Sequence, residues 1–152
     1  LLARLGLRQC EVCALKLDDF DWERGVLTVC GKGKKRAELP IPADVGAAVT
    51  AYLLRRPRVD GRGVFLRVRA PYRPLHVIGQ PIFAASQRAG VAPVSPHRIR
   101  HTAASEMLRR GASLAEIGDV LRHASTQTTA IYAKVDRQAL RTLVQPWPGV
   151  QS

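Results

Sequence analysis

A change in hydrophobic period divides this sequence into a short part that favours strands and a longer part that favours helices. Within residues 37–41, Leu39 and Ile41 alternate with Glu38 and Pro40, and residues 18–22 and 26–30 are also predicted as strands. Alternation with a period of two is typical of strands that bury one face, and the glycines between the runs permit tight turns. We therefore expect a small three-stranded antiparallel sheet near the N-terminus.

The rest of the sequence carries the apolar spacing and the end signals of helices. Ser95-Pro96, and Ser113 with Glu116, are typical helix starts because they suit the first backbone N–H groups of a helix. Gly111 is a typical helix end. The predicted fold class is α+β, mainly α. We expect helices at residues 1–7, 9–17, 43–55, 75–89, 96–110, 113–121 and 136–143, with 126–133 helical or irregular.

The charge balance indicates a polyanionic partner. The chain has 24 Lys and Arg against 12 Asp and Glu, which gives a net charge of +12. Such an excess favours binding to nucleic acid through neutralisation of phosphates and release of counterions. Apolar residues make up 46% of the 152 residues, which is enough for the core of one domain.

Several classes of protein and site are disfavoured. No apolar run approaches the roughly 20 residues that span a bilayer, and Leu1–Arg4 lacks the pattern of a signal peptide. The glycines around Lys32 do not have the spacing of a phosphate-binding P-loop, and metal-ligand motifs are absent. We therefore expect no membrane, no metal and no cofactor. Three cysteines without a disulfide framework favour a reducing compartment, the cytoplasm.

The densest group of polar side chains lies at the start of the helix predicted from residue 96. His97, Arg100 and His101 have the spacing i, i+3, i+4 and therefore share one face. They lie in the first turn and a half of that helix, where backbone N–H groups favour anions. This pattern predicts a phosphate-binding group, and the alternative is a solvated basic helix start.

Four further residues are ordinary when each is taken singly. Arg8 with Glu11 fits a surface ion pair, and Lys32 fits a flexible basic turn. A lone histidine such as His123 is usually structural, and a lone tyrosine such as Tyr132 is usually a core or surface aromatic. Only their order along the chain points to a common function.

That order resembles the tyrosine recombinase (phage integrase) family. The resemblance covers nearly the whole chain and includes the order of strands and helices between the motifs. It is carried by GLRQCEV at 6–12, GKG at 31–33, SPHRIRHT at 95–102, LRH at 121–123 and TTAIY at 128–132. Six positions in family order are more specific than any single motif: Arg8, Lys32, His97, Arg100, His123 and Tyr132.

The resemblance implies a catalytic domain over residues 1–145, with its first helix clipped, followed by a tail at 146–152. The family's N-terminal DNA-clamping domain is absent from this sequence, which we expect to be a fragment of a longer protein. The implied partners are double-stranded DNA and further copies of the chain, as a tetramer on paired DNA sites. The implied location is the cytoplasm, with the nucleoid.

The resemblance also implies roles for individual residues. Tyr132 attacks a phosphate to form a 3′-phosphotyrosyl enzyme, His97 is its general base, and Lys32 is the general acid for the leaving oxygen. Arg8 and Arg100 neutralise the nonbridging oxygens, and His123 donates to the same oxygens or steadies Arg100. Glu11 orients Arg8 or a neighbouring donor, and His101 supports the helix start. The expected contacts to DNA are Lys34, Lys35, Arg36, Arg98 and Arg122.

Two other functions stay open at this point. Residues 107–129 fit a helix-turn-helix regulator, which binds DNA without covalent chemistry. A type IB topoisomerase has the same covalent chemistry but relaxes supercoils without a partner site. The helix-turn-helix alternative gives no reason for the spacing of Arg8, Lys32 and Tyr132.

Overall fold

The computed structural model describes residues 1–31 and 35–122, in two compact units divided at Ala103/Ala104. The first unit, Leu1–Ala103, begins with helices α1 (Leu2–Leu5) and α2 (Gln9–Ala14). The sheet follows, then α3 (Ala43–Arg55), α4 (Gly79–Arg88) and the first eight residues of α5 (Pro96–Arg109). The described part of the second unit contains the end of α5 and α6 (Leu114–Val120).

The predicted sheet is confirmed in its topology. Strands β1 (Phe20–Asp21), β2 (Val26–Cys30) and β3 (Arg36–Pro40) pair antiparallel in the order β1-β2-β3. Leu27 lies opposite Phe20 on one side and Leu39 on the other. Side chains of β2 alternate in burial, with Leu27 and Val29 fully buried, so the central strand fixes which face of the sheet packs on the core.

The first strand is shorter than predicted. Residues 17–19, which include two of the five residues assigned to this strand, form a 3-10 turn. The backbone N–H of Lys16 donates to Asp19 Oδ2 at 2.7 Å, and the N–H of Asp19 donates to the Lys16 carbonyl at 3.1 Å. A short acidic side chain that bonds its own backbone competes with strand pairing, which explains the difference.

The helices predicted at 9–17 and 75–89 are also shorter than predicted, because residues at their ends form backbone hydrogen bonds with other segments. The predicted helix at 9–17 stops at Ala14 because Leu17 N–H donates to Arg62 O and Val64 N–H donates to Leu15 O, both at 2.9 Å. The helix predicted from residue 75 starts at Gly79 because Leu75 N–H donates to Phe65 O at 2.8 Å. The prediction for residues 43–55 is confirmed at both ends.

The core of the first unit joins the two short helices, the sheet and α3. Its members are apolar side chains at most 8% exposed, and Leu7, Leu27, Val29 and Val64 are completely buried. Val45 and Val49, one turn apart, give α3 its buried face. The fixed position of Leu7 matters for the site, because Arg8 follows it directly.

The second unit has its own small cluster and a well-defined helix start. Ala104, Ile117 and Leu121 are completely buried together. Ser113 Oγ accepts from the Glu116 N–H at 3.2 Å while Glu116 Oε2 accepts from the Ser113 N–H at 2.7 Å, so the predicted capping box is confirmed. Hydrogen bonds from the Ser113 hydroxyl and N–H hold the pKa of Glu116 below its usual value.

The predicted fold class, mainly helical with one small sheet, is confirmed in the described residues. The segments predicted at 126–133 and 136–143 lie outside them. Within residues 1–31 and 35–122, no helix has the length and apolar character to cross a membrane.

Leu27→Ala should lower the free energy of unfolding by about 2–5 kcal/mol, because it leaves a cavity beneath the central strand. The matched control is Leu54→Ala on α3, where the leucine is 83% exposed and truncation should change stability by less than about 0.5 kcal/mol. Urea denaturation of both variants measures the difference. Equal losses would contradict the proposed position of the core.

Candidate active site

Arg8 is positioned by the turn between α1 and α2. Gly6 ends α1 in the left-handed region, with φ of 55°, and Leu7 is completely buried beside it. Arg8 then takes the position before the first residue of α2, in extended conformation. The buried leucine and the helix start hold the Arg8 backbone on both sides, which leaves its side chain 34% exposed.

Glu11 holds Arg8 at two points. Its Oε2 accepts from the Arg8 backbone N–H at 2.7 Å, and its Oε1 accepts from Arg8 Nη1 at 2.8 Å. The Glu11 side chain is 2% exposed, so its charge is stabilised mainly by such donors. These are the contacts that an orienting role for Glu11 requires.

Arg100, near the C-terminal end of the first unit's sequence, contacts the same turn. It lies on α5 with 5% exposure, and its guanidinium donates through Nη1 to the carbonyl of Gly6. Arg100 therefore contacts the backbone two residues before Arg8, and the same turn carries Arg8 and anchors Arg100. The carbonyl of Gly6 was not anticipated as a partner, since a backbone acceptor has no signature in sequence.

His97 and His101 form a pair one helical turn apart on α5. Their Nε2 atoms lie 2.6 Å apart, and their rings are edge to face with centroids at 4.2 Å. One proton at most lies between the two nitrogens, so one ring must accept. Burial, with the positive charges of His97 and Arg100, lowers the pKa of His101. The lowered pKa favours the neutral form of His101.

The remaining predicted residues divide into two groups. Lys35 and Arg36 are exposed beside the β2–β3 turn, where Gly31 N–H donates to Lys35 O at 2.8 Å, and Arg98 is exposed on the first turn of α5. Arg122, half-buried in the second unit, donates through Nη1 to Val120 O at 3.1 Å. Four predicted residues lie outside the described part of the chain: Lys32, Lys34, His123 and Tyr132.

The described residues of the site have a definite chemical capacity. The turn and α5 carry two guanidinium groups, which stay charged at all relevant pH values and whose planar donor forks suit phosphate oxygens. The adjoining histidine pair can accept or pass on a proton near neutral pH. Fixed positive charge next to a proton acceptor suits reactions at phosphodiesters, in which negative charge grows on the phosphate.

Stability should depend on pH through His101. Its lowered folded-state pKa means that protonation favours the unfolded chain. The stability contributed by neutral His101 is present above its unfolded-state pKa, about 6.5, and is lost as the pH falls from there through the folded-state pKa. The melting temperature of wild type should therefore fall more than that of His101→Gln between about pH 7.5 and pH 5. The melting temperature of the control His76→Gln, at an exposed position, should fall as that of wild type does. An equal fall in all three proteins would contradict a lowered pKa of His101.

Comparison with known proteins identifies the group to which this arrangement belongs. The model of the phage integrase family matches residues 1–139. The chain is 55% identical over 154 residues to a Sinorhizobium fredii protein designated putative integrase/recombinase y4rA. The alignment covers 97% of this chain and 37% of that protein. It is 34% identical over 142 residues to the tyrosine recombinase XerC of Corynebacterium glutamicum, covering 92% of this chain and 46% of that protein.

A solved structure gives the same answer for the fold. The crystal structure of the XerA recombinase superposes with a TM-score of 0.77 at 29% identity, over 96% of this chain and 56% of that one. The chain thus spans between about a third and about half of the length of these proteins.

The comparisons decide against the helix-turn-helix alternative at the level of the family. The end of α5 and α6 are joined through a turn at Gly111, so a local helix-turn-helix pattern is present, but it does not account for the match over residues 1–139. The resemblance inferred from the six ordered positions is confirmed at the level of the family. Because the family model matches residues 1–139, which are most of the chain, the chain belongs to the phage integrase family, the tyrosine recombinases.

Proposed function

We propose that this chain is the catalytic domain of a site-specific recombinase that cuts and rejoins double-stranded DNA through a 3′-phosphotyrosyl intermediate at Tyr132. The observation that carries the proposal is the anchoring of Arg100 to the Gly6 carbonyl, in the turn that also carries Arg8, in a chain of this family. Two fixed cations held by a buried carboxylate and a backbone carbonyl suit a phosphate that gains negative charge during reaction.

The proposed reaction exchanges one phosphodiester for another. The phenolate oxygen of Tyr132 attacks phosphorus, a bond from phosphorus to that oxygen forms, and the bond to the 5′-oxygen of the next nucleotide breaks. Lys32 gives its proton to that leaving oxygen. The energy of the broken bond stays in the phosphotyrosine, so a 5′-hydroxyl from the partner strand can reverse the step without ATP.

The charges around the phosphate have distinct tasks in this proposal. Arg8, Arg100 and His123 neutralise the nonbridging oxygens, which gain charge in the pentacoordinate state. His97 accepts the proton of Tyr132 as general base, and its contact with His101 at 2.6 Å offers a second site for a proton. Glu11 keeps Arg8 in place through the two contacts at 2.7 and 2.8 Å.

The proposed partners are duplex DNA and further copies of the protein. Exposed Lys35, Arg36 and Arg98 suit contacts to phosphates next to the scissile one, together with Lys34 and Arg122. We propose a tetramer on two paired sites, because strand exchange needs two cleaved duplexes, and a place at the nucleoid. Residues 1–145 would form the catalytic domain and 146–152 a tail.

Tyr132→Phe should abolish covalent capture of DNA while non-covalent binding changes by less than about twofold, because only the nucleophilic oxygen is lost. Suicide substrates, nicked next to the cleavage site, report covalent capture as a slow band on denaturing gels. Tyr72→Phe, at an exposed tyrosine outside the motifs, is the control and should still be captured. Adducts that persist with Tyr132→Phe would assign the nucleophile elsewhere.

Lys32→Ala should slow cleavage of ordinary DNA by about 10²–10⁴-fold, the usual range for a lost general acid. A substrate with a 5′-bridging phosphorothiolate should restore the rate, because sulfur leaves without protonation. Lys35→Ala, at the exposed end of the same turn, is the matched control and should show no such selective rescue. If the phosphorothiolate did not rescue Lys32→Ala, that lysine would serve DNA binding only.

A further inference from the structure

We propose that residues 66–74, the arginine hairpin, form a second contact surface for the DNA backbone, separate from the residues assigned to catalysis and from the basic positions predicted in the sequence. The hairpin carries Arg67, Arg69 and Arg73, all exposed. The inference rests on the proposed function only for the choice of duplex DNA as the polyanion.

The first support is the distribution of acidic residues. Between Asp60 and Glu106 the sequence contains no Asp or Glu, which leaves the charge of this stretch entirely positive. The arginines within it are Arg62, Arg67, Arg69, Arg73, Arg88, Arg98 and Arg100. The hairpin and the first turn of α5 therefore belong to one acid-free tract of the sequence, and such an excess of one sign of charge attracts a polyanion.

Ion pairing separates these arginines from several other arginines on the surface. Arg24 contacts Glu38 at 3.1 Å, and Arg109 and Arg110 both contact Glu106 at 3.0 Å. Arg62 pairs with Asp18. Within residues 1–31 and 35–122, neither Arg67, Arg69 nor Arg73 has a carboxylate within 4.0 Å.

The backbone of the hairpin brings two of these cations together. Leu66 pairs with Pro74, and Arg67 N–H donates to Arg73 O at 2.9 Å, so Arg67 and Arg73 lie opposite each other at the end of the ladder. Opposed residues of an antiparallel pair have Cβ atoms about 4.5–5.5 Å apart on one face, and like charges there are destabilising. A phosphate between the two guanidinium groups would remove this repulsion.

The base of the hairpin is held firmly. Arg56 donates to Gly63 O at 2.7 Å, to Gly61 O at 3.0 Å and to Val64 O at 3.1 Å. The Leu66 N–H donates to the Tyr52 hydroxyl on α3 at 3.1 Å, and Leu66 is 6% exposed. A cationic tip on a fixed base loses little backbone freedom on binding, which suits a surface for a rigid duplex.

The apolar residues of the tip do not favour a protein partner. Val68 is 87% exposed and Tyr72 is 41% exposed, but both lie within a few residues of the three arginines. The centre of a protein interface is depleted in charged residues, because their desolvation is costly. Phosphates that stay partly hydrated avoid that cost, so the charge of the hairpin favours the DNA backbone.

The test compares two triple variants of the 152-residue chain with the same change in net charge. One replaces Arg67, Arg69 and Arg73 by Gln, and the control replaces the ion-paired Arg24, Arg109 and Arg110 by Gln. Non-covalent binding to a short duplex of arbitrary sequence is measured over a range of salt concentrations. The slope of log K against log salt falls by about 0.9 for each phosphate that the protein no longer neutralises, so the hairpin variant should lose roughly 2.7 and bind about tenfold or more weakly at low salt. The control should lose less than about 1.

Equal decreases in the salt slope of both triple variants would overturn the proposal, because they would show an effect of net charge alone. An unchanged slope in the hairpin variant would overturn it as well. If the triple variant did not fold, Arg69→Gln alone should lower the slope by about 0.9, and Arg69→Lys should retain it. The measured slope does not depend on covalent chemistry. Failure of covalent capture at Tyr132 would contradict the proposed function but not the hairpin proposal. Covalent capture together with an unchanged slope in the hairpin variant would contradict only the hairpin proposal.

Discussion

The hydrogen bond from the buried Arg100 guanidinium to the Gly6 carbonyl joins the helix that carries the histidine pair to the turn that carries Arg8. Arg100 is 5% exposed, and a charge removed from water must find acceptors inside the protein. A hydrogen bond to a charged group contributes about 1.5–3 kcal/mol. The geometry of the candidate site therefore depends on the left-handed turn at Gly6, although that residue has no side chain to take part in chemistry.

Positive charge is used in two different ways in this chain. Arg8 and Arg100 are held by specific partners, Glu11 and Gly6, so their positions are fixed before any phosphate binds. Such preorganisation suits stabilisation of a transition state, because no reorganisation is needed during reaction. The exposed arginines of the hairpin have no carboxylate beside them in the described residues and suit salt-dependent attraction of a polyanion. In the proposed function, the first group serves the rate of reaction and the second serves affinity for DNA.

Much of the fold could be predicted because local signals were strong. Residues 43–55 and the capping box of Ser113 and Glu116 agree with their predictions, since helix periodicity and capping are properties of adjacent residues. The errors at the two helix ends have a common origin: Leu75 and Leu17 belong to helical patterns locally but form backbone pairs with Phe65 and Arg62, which only the folded chain brings near. Long-range pairing overrides local propensity when it satisfies buried backbone groups.

By itself, the sequence determined the family, the order of the site residues and the positive charge, because these are properties of residue type and spacing. It also placed His97, Arg100 and His101 on one face of a helix, which the period of the helix requires. Only the tertiary structure decided that Arg100 is buried against Gly6, that the two imidazoles share a contact of 2.6 Å, and that Arg67 and Arg73 face each other across a hairpin. The physical reason is that burial and hydrogen-bond partners depend on which distant segments pack together. The same arginine is a solvated surface charge or an anchored one according to the carbonyl that the fold places beside it.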